Sequence, residues 1–167
     1  MCAMTRKRRS SEPGHRRKFL VVIDDTPECE RALYFASLRA LHTGGALVML
    51  YVIMPGDFQH WLGVETIMRA ESQDEARRVL GEFAEKARKW ASVEPQIVIR
   101  EGTPSEEIVS LIEEDEDIAI LVLAAGVGKE GPGPLVSAFA GRSATSFPIP
   151  VTIIPGTMSD EEIQAVA

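Results

Sequence analysis

The chain has 167 residues, 45% of them apolar and 26% charged, with a formal charge of −7. That size and balance fit one globular domain with a sizeable core. The longest apolar run, Ile118 to Ala125, is far too short to span a bilayer, which excludes a membrane helix.

The charge is unevenly spread. Residues 1–18 carry seven Lys and Arg against Glu12 alone, leaving 11 basic and 24 acidic side chains in the remainder. An acidic body excludes a broad nucleic-acid-binding surface. The basic segment is expected to be a disordered, solvated arm over residues 1–18. Within it, Arg16-Arg17-Lys18 resembles a twin-arginine export signal, but the apolar run that follows stops at Asp24-Asp25. It is shorter than the 7–15 residues, roughly, that such a signal requires. Two cysteines, Cys2 and Cys29, and three scattered histidines form no disulfide framework and no metal-ligand spacing. A cytoplasmic protein is expected.

In chain order, strands are expected near residues 19–24, 46–53, 96–100, 118–125 and 150–154. They are continuous runs of Val, Ile and Leu rather than alternating ones, the mark of strands covered on both faces. The first helix spans about 27–42, with Thr26 as N-cap, Pro27 in the first turn and Gly44-Gly45 as its stop. Met54 to Gly63 reads as an irregular loop, anchored by Trp61 or covering a site. The second helix, about 64–90, shows one apolar face through Ala76, Leu80, Phe83, Ala87 and Trp90. Thr103-Pro104-Ser105-Glu106 predicts a capping box opening a third helix to about 114. A fourth helix spans about 135–146, and Ser159 with Glu162 predicts a second capping box for a short tail helix within 157–167.

Strand and helix alternating five times predicts an α/β fold: a doubly wound, five-stranded parallel sheet of order 3-2-1-4-5, with helices on both faces, over residues 19–156. Ligands in such sheets bind beyond the strands' carboxyl ends where strand order reverses, here between the first and fourth strands. Two suggestive loops follow those strands: Asp24-Asp25-Thr26, and the stretch GVGKEGPGP at 126–134. Glycines past a strand end can bare N–H groups to an anion.

Named phosphate patterns fit this loop poorly. Gly126, Gly128 and Gly131 have dinucleotide-fingerprint spacing, but in the fourth strand–helix unit and without the later acidic residue. The P-loop fails because Glu130 follows Lys129. A response-regulator receiver would need an aspartate after the third strand and a lysine after the fifth, and both are missing.

The order and spacing of several short motifs resemble the universal stress protein family over about residues 18–156. They are Phe19 to Asp24, Pro27-Glu28, Leu50-Tyr51-Val52, Glu101-Gly102-Thr103-Pro104, the glycine loop, and Pro148-x-Pro150-Val151. The family's nucleotide motif can be laid on the loop in two registers. One uses Gly128, Gly131 and Gly141, with Arg142 in place of the hydroxyl. The other, favoured by the strand ends, puts Ala124 or Ala125, Val127 or Gly128, and Ser137 or Ala138 at the glycine positions.

The resemblance implies ATP or AMP, with Mg2+, between the first and fourth strands. Asp24, with Asp25 and Thr26 beside it, would meet the ribose or adenine end and the Val52 backbone the adenine edge. N–H groups around Gly126, Gly128 and Gly131, with Lys129 and Ser137, would hold phosphates. It also implies a homodimer through the strand at 150–154. The alternative is a dimeric interaction protein on the same fold that binds no nucleotide. No nucleophile–base constellation is present, so no enzyme beyond a very slow ATPase is expected.

Overall fold

The computed structural model describes residues 6–55, 63–141 and 145–167. Cys2, the residues Gly56, Phe58, His60 and Trp61 of the 54–63 loop, and Arg142 lie outside the described residues. The elements are β1 (Lys18–Val22), α1 (Cys29–Thr43), β2 (Ala46–Ile53), α2 (Val64–Ala91), β3 (Gln96–Glu101), α3 (Pro104–Glu114), β4 (Ile118–Ala125), α4 (Pro134–Ala140), β5 (Val151–Pro155) and α5 (Asp160–Val166).

All four strand pairings are parallel, and the sheet order is β3-β2-β1-β4-β5, as the strand–helix alternation predicts. Side chains alternate across the pleat and so feed two cores. Phe19, Val21, Leu47 and Met49 pack with Leu33, Leu80 and Ile163 from α1, α2 and α5. Leu20, Val22, Val48 and Leu50 pack with Ile108, Ile112 and Phe139 from α3 and α4. Each fully buried Leu, Ile or Phe contributes about 1.5–3 kcal/mol, which is why the central strands tolerate no polar position.

The helix starts depart from expectation in instructive ways. α1 begins at Cys29 with Glu28 before it and no side-chain cap. Thr26 does not cap it, because its hydroxyl turns back to Asp24. Thr103 precedes Pro104 at the start of α3, but its side chain makes no capping bond. α4 is a short helix that ends at Ala140, with Gly141 at its C-terminal boundary. The Ser159–Glu162 capping box does form, with Glu162 N–H donating to Ser159 Oγ at 3.1 Å and Ser159 N–H to Glu162 Oε2 at 2.8 Å.

The basic segment also differs from the solvated arm expected of it. Its residues Arg6, Arg8, Arg9 and His15 lie against the end of α3 and the turn to β4, an unbroken acidic run from Glu113 to Asp117, while Arg16 donates to the Gly44 and Gly45 carbonyls. The Arg8 Nη1 donates to the Ile112 carbonyl at 2.5 Å and the Asp115 carbonyl at 3.1 Å. Arg6 and Arg9 pair with Glu116, and His15 Nδ1 sits 2.6 Å from Asp117. Opposite charge and the free carbonyls at the α3 C-terminus together hold the segment.

Candidate functional site

β1 stops at Val22, whereas its neighbours β2 and β4 run on to Ile53 and Ala125. The gap left beyond β1 opens as a cavity of about 730 Å³ at the carboxyl edge of the sheet. This is the switch point where the chain order reverses, and the size suits a small-molecule ligand.

The backbone lining this gap follows from the ladder. Leu50 accepts from Ile23 N–H, so its polar groups face β1; Ile53 accepts from Gly102 N–H, so its groups face β3. Bonding directions alternate along the strand, so Val52 faces the same side as Leu50. β1 has ended by that point, and the Val52 N–H and C=O therefore look into the cavity that Val52 lines.

Asp24, Asp25 and Thr26 line the opposite lip. Asp24 Oδ1 accepts from the Thr26 N–H at 2.9 Å and from its hydroxyl at 2.5 Å, a closed loop that fixes the carboxylate. Burial, reinforced by the Glu28 and Asp25 carboxylates, raises the Asp24 pKa against the lowering effect of Thr26. Cys29 lies behind, 3% exposed, and burial pushes its thiol up to about 12.

The floor joins α2 residues that the motifs do not include to Tyr51 of the Leu50-Tyr51-Val52 motif. α2 contributes Met68, Glu71, Ser72 and Glu75, and β2 contributes Tyr51. Tyr51 is held above its ordinary pKa by burial and by Asp25, Glu75 and Asp24. The signal for α2 was present: Met68, Ser72, Glu75 and Val79 continue the helix's inward stripe at three- and four-residue steps. The stripe turns polar where the helix overruns the sheet.

The glycine loop divides. Gly133, Pro132 and Pro134 line the cavity, together with Leu123 and Ala124 at the end of β4. Gly126, Gly128, Lys129, Gly131 and Ser137 are not among its walls. Gly128, Lys129, Gly131 and Ser137 are all exposed. The Gly126 N–H donates to the Pro132 carbonyl at 3.1 Å, and the Gly131 N–H to the Gly128 carbonyl at 3.3 Å. A Cβ added at Gly126 would fall 3.1 Å from Glu28 Oε1, so a carboxylate packs against the turn. Gly141 lies at the far end of α4, away from the loop.

The nucleoside part of a nucleotide therefore fits this site. It has a main-chain donor and acceptor at Val52, a fixed carboxylate at Asp24 and apolar walls between. The phosphate part does not fit the residues predicted to hold it. Among the described residues, no three of His, Cys, Asp and Glu converge to hold a metal, and no helix is long and apolar enough to cross a membrane.

A profile of the universal stress protein family matches residues 15–155. Solved structures with this architecture include the universal stress protein UspA from Lactobacillus plantarum: 17% identity, 83% of this chain, 97% of that one, TM-score 0.69. Another is the universal stress protein from Archaeoglobus fulgidus in complex with dAMP: 20% identity, 83% and 97% coverage, TM-score 0.55. A family protein from Arabidopsis thaliana with AMP bound has 19% identity, 87% and 94% coverage, and TM-score 0.56. At these identities the likeness speaks to the fold. No protein of curated function matches the chain.

Proposed function

This chain belongs to the universal stress protein family, and from that premise we propose that it is a cytoplasmic stress-response module regulated by an adenine nucleotide in the cavity between β1 and β4. The observation that supports this most directly is the pairing of Val52 with Asp24 across the gap beyond β1. Val52 offers an N–H and a C=O side by side, as an adenine edge requires, and Asp24 offers a carboxylate for ribose hydroxyls. The structures carrying AMP and dAMP support the same ligand class.

The role is binding rather than turnover. Cys29, the thiol beside the cavity, is neutral at physiological pH. The described walls hold no histidine to serve as a base. Mg2+ would arrive with a nucleotide's phosphates.

The module acts as a homodimer through β5. This strand is an outer edge of the sheet, and Ile153 on it is 37% exposed. An apolar edge with unpaired N–H and C=O groups is a surface that proteins cover.

A second reading, a dimeric interaction module without nucleotide, draws on one observation: the loop's N–H groups at Gly126 and Gly131 are bonded within the loop. Calorimetric titration of the purified protein with AMP separates the two. Saturable binding at one AMP per chain is expected. Absence of binding by AMP and adenosine alike would leave the interaction module standing.

A further inference from the structure

We infer that this cavity selects an uncharged nucleoside over its phosphorylated forms, and admits a polyphosphate only when a divalent cation offsets its charge. The inference rests on the nucleotide reading above and names the ligand class for the same cavity.

Three independent observations carry it. The first is charge. The described walls present the carboxylates of Asp24, Asp25, Glu28, Glu71 and Glu75, and no Lys, Arg or His. Glu75 is neutralised by Arg78, which reaches it at 2.6 Å. Among the described residues, the other four have no cation within salt-bridge distance. An anionic ligand meets like charge in a partly enclosed space, where screening is weaker than in open solvent.

The second is the state of the donors. A glycine turn binds phosphate through free N–H groups. Here the Gly126 and Gly131 N–H groups are already paired with carbonyls of the same turn. α4 begins with Pro134, which has no N–H to give.

The third is position. Glu28 lines the cavity with its carboxylate against Gly126 of the turn. Lys129, the turn's one cation, is exposed and is not part of the wall. Among the described residues the cavity thus offers a phosphate no cation and neither the Gly126 nor the Gly131 N–H, while the Val52 main chain and the Asp24 carboxylate stand ready for a nucleoside.

The test is isothermal titration of the full chain with adenosine, AMP, ATP in EDTA, and ATP with excess Mg2+, each at low and at moderate salt. Adenosine is expected to bind at least as tightly as AMP and at least tenfold more tightly than metal-free ATP. Mg2+ should recover most of the ATP deficit. Added salt should strengthen metal-free ATP binding, because it screens repulsion; a phosphate-binding turn would give the opposite sign. In a Glu28→Gln/Glu71→Gln variant the ratio of adenosine affinity to metal-free ATP affinity should narrow several-fold, and a ratio unchanged from the parent counts against the charge argument. Metal-free ATP binding as tightly as adenosine, and weakened by salt, overturns the inference and leaves the nucleotide reading intact. No binding of any of the four ligands overturns both.

Discussion

Asp24 Oδ1 accepts two hydrogen bonds from one residue, the Thr26 N–H at 2.9 Å and the Thr26 hydroxyl at 2.5 Å. The pair holds a carboxylate at the lip of an acidic cavity, and the surroundings oppose its charge. Burial contributes most, with Glu28 and Asp25 adding repulsion, and the folded-state pKa is raised. A raised acid favours the fold below its unfolded pKa, and that advantage is lost as pH rises through the folded pKa. At neutral pH the ionised form therefore costs stability.

Asp24→Asn retains an oxygen that can accept both Thr26 bonds and removes the charge. The variant should be more stable than the parent at pH 7 and should melt at a higher temperature. The stability gap between variant and parent should shrink as pH falls toward the carboxylate range. Ligand affinity should fall at least tenfold, because the acceptor set offered to the ribose changes. Thermal unfolding across pH, with calorimetry alongside, checks both. A variant that is less stable and binds unchanged would remove Asp24 from the site.

Cys29 borders the same lip, 3% exposed, its Sγ 3.8 Å from the Val22 carbonyl. With the thiol pushed up to about 12 by burial, almost no thiolate exists at pH 8. In a Cys2→Ala background, a thiol-specific chromogenic reagent should label the native protein at least a hundredfold more slowly than the denatured chain. Rapid labelling of the folded state would mean that the cavity wall opens.

Most of the scaffold is readable from the chain. The continuous apolar runs locate all five strands to within two residues, because strands buried on both faces admit little else. The switch point follows from strand order, and with it the Asp24–Thr26 lip and Val52. The binding chemistry was less legible. The glycine loop looks like an anion turn as text, but the Gly126 and Gly131 N–H groups are taken by the Pro132 and Gly128 carbonyls, a fact of three-dimensional closure. Glu71 and Glu75 reach the cavity only because α2 overruns the sheet. The docking of the basic segment was legible in principle, since residues 6–9 and 113–117 are complementary charge runs. Their pairing spans more than 100 residues, beyond any local pattern.

Arg8 anchors that segment. Its Nη1 serves the Ile112 and Asp115 carbonyls, with the Ile118 carbonyl further off at 3.4 Å. Arg8→Ala removes the donor to the part-buried Ile112 carbonyl, while the Asp115 carbonyl keeps the Ile118 N–H, and should cost about 1–3 kcal/mol. Arg8→Lys should recover only part of this, since an ammonium group cannot reproduce the guanidinium fork. Chemical denaturation measures the loss. Limited proteolysis should cut the variant before residue 18 well ahead of the parent. Equal stability and equal cleavage would make the segment a passive passenger.

The last prediction concerns the sheet's outer edge. β5 pairs with β4 on one side only, Leu121 to Ala125 against Val151 to Pro155, so its other side carries the strand's unpaired backbone groups. Ile153 stands half-way along it and is 37% exposed, whereas Ile154 beside it turns into the core at 3%. The alternation makes the two positions a matched pair of probes. Ile153→Arg places a charge in the proposed interface while leaving the core untouched, and two such charges would face each other across a two-fold axis. Light scattering after gel filtration should read twice the 18.3 kDa chain mass for the parent and the single-chain mass for Ile153→Arg, with the melting profile of each fold retained. Ile154→Ala should instead destabilise the fold by about 2–5 kcal/mol, from the lost burial and the cavity it leaves. Association should then weaken only in proportion to the unfolded fraction. A dimer that survives Ile153→Arg would move the interface off β5, and the exposed Ile97 on the opposite edge strand, β3, would be the next position to charge.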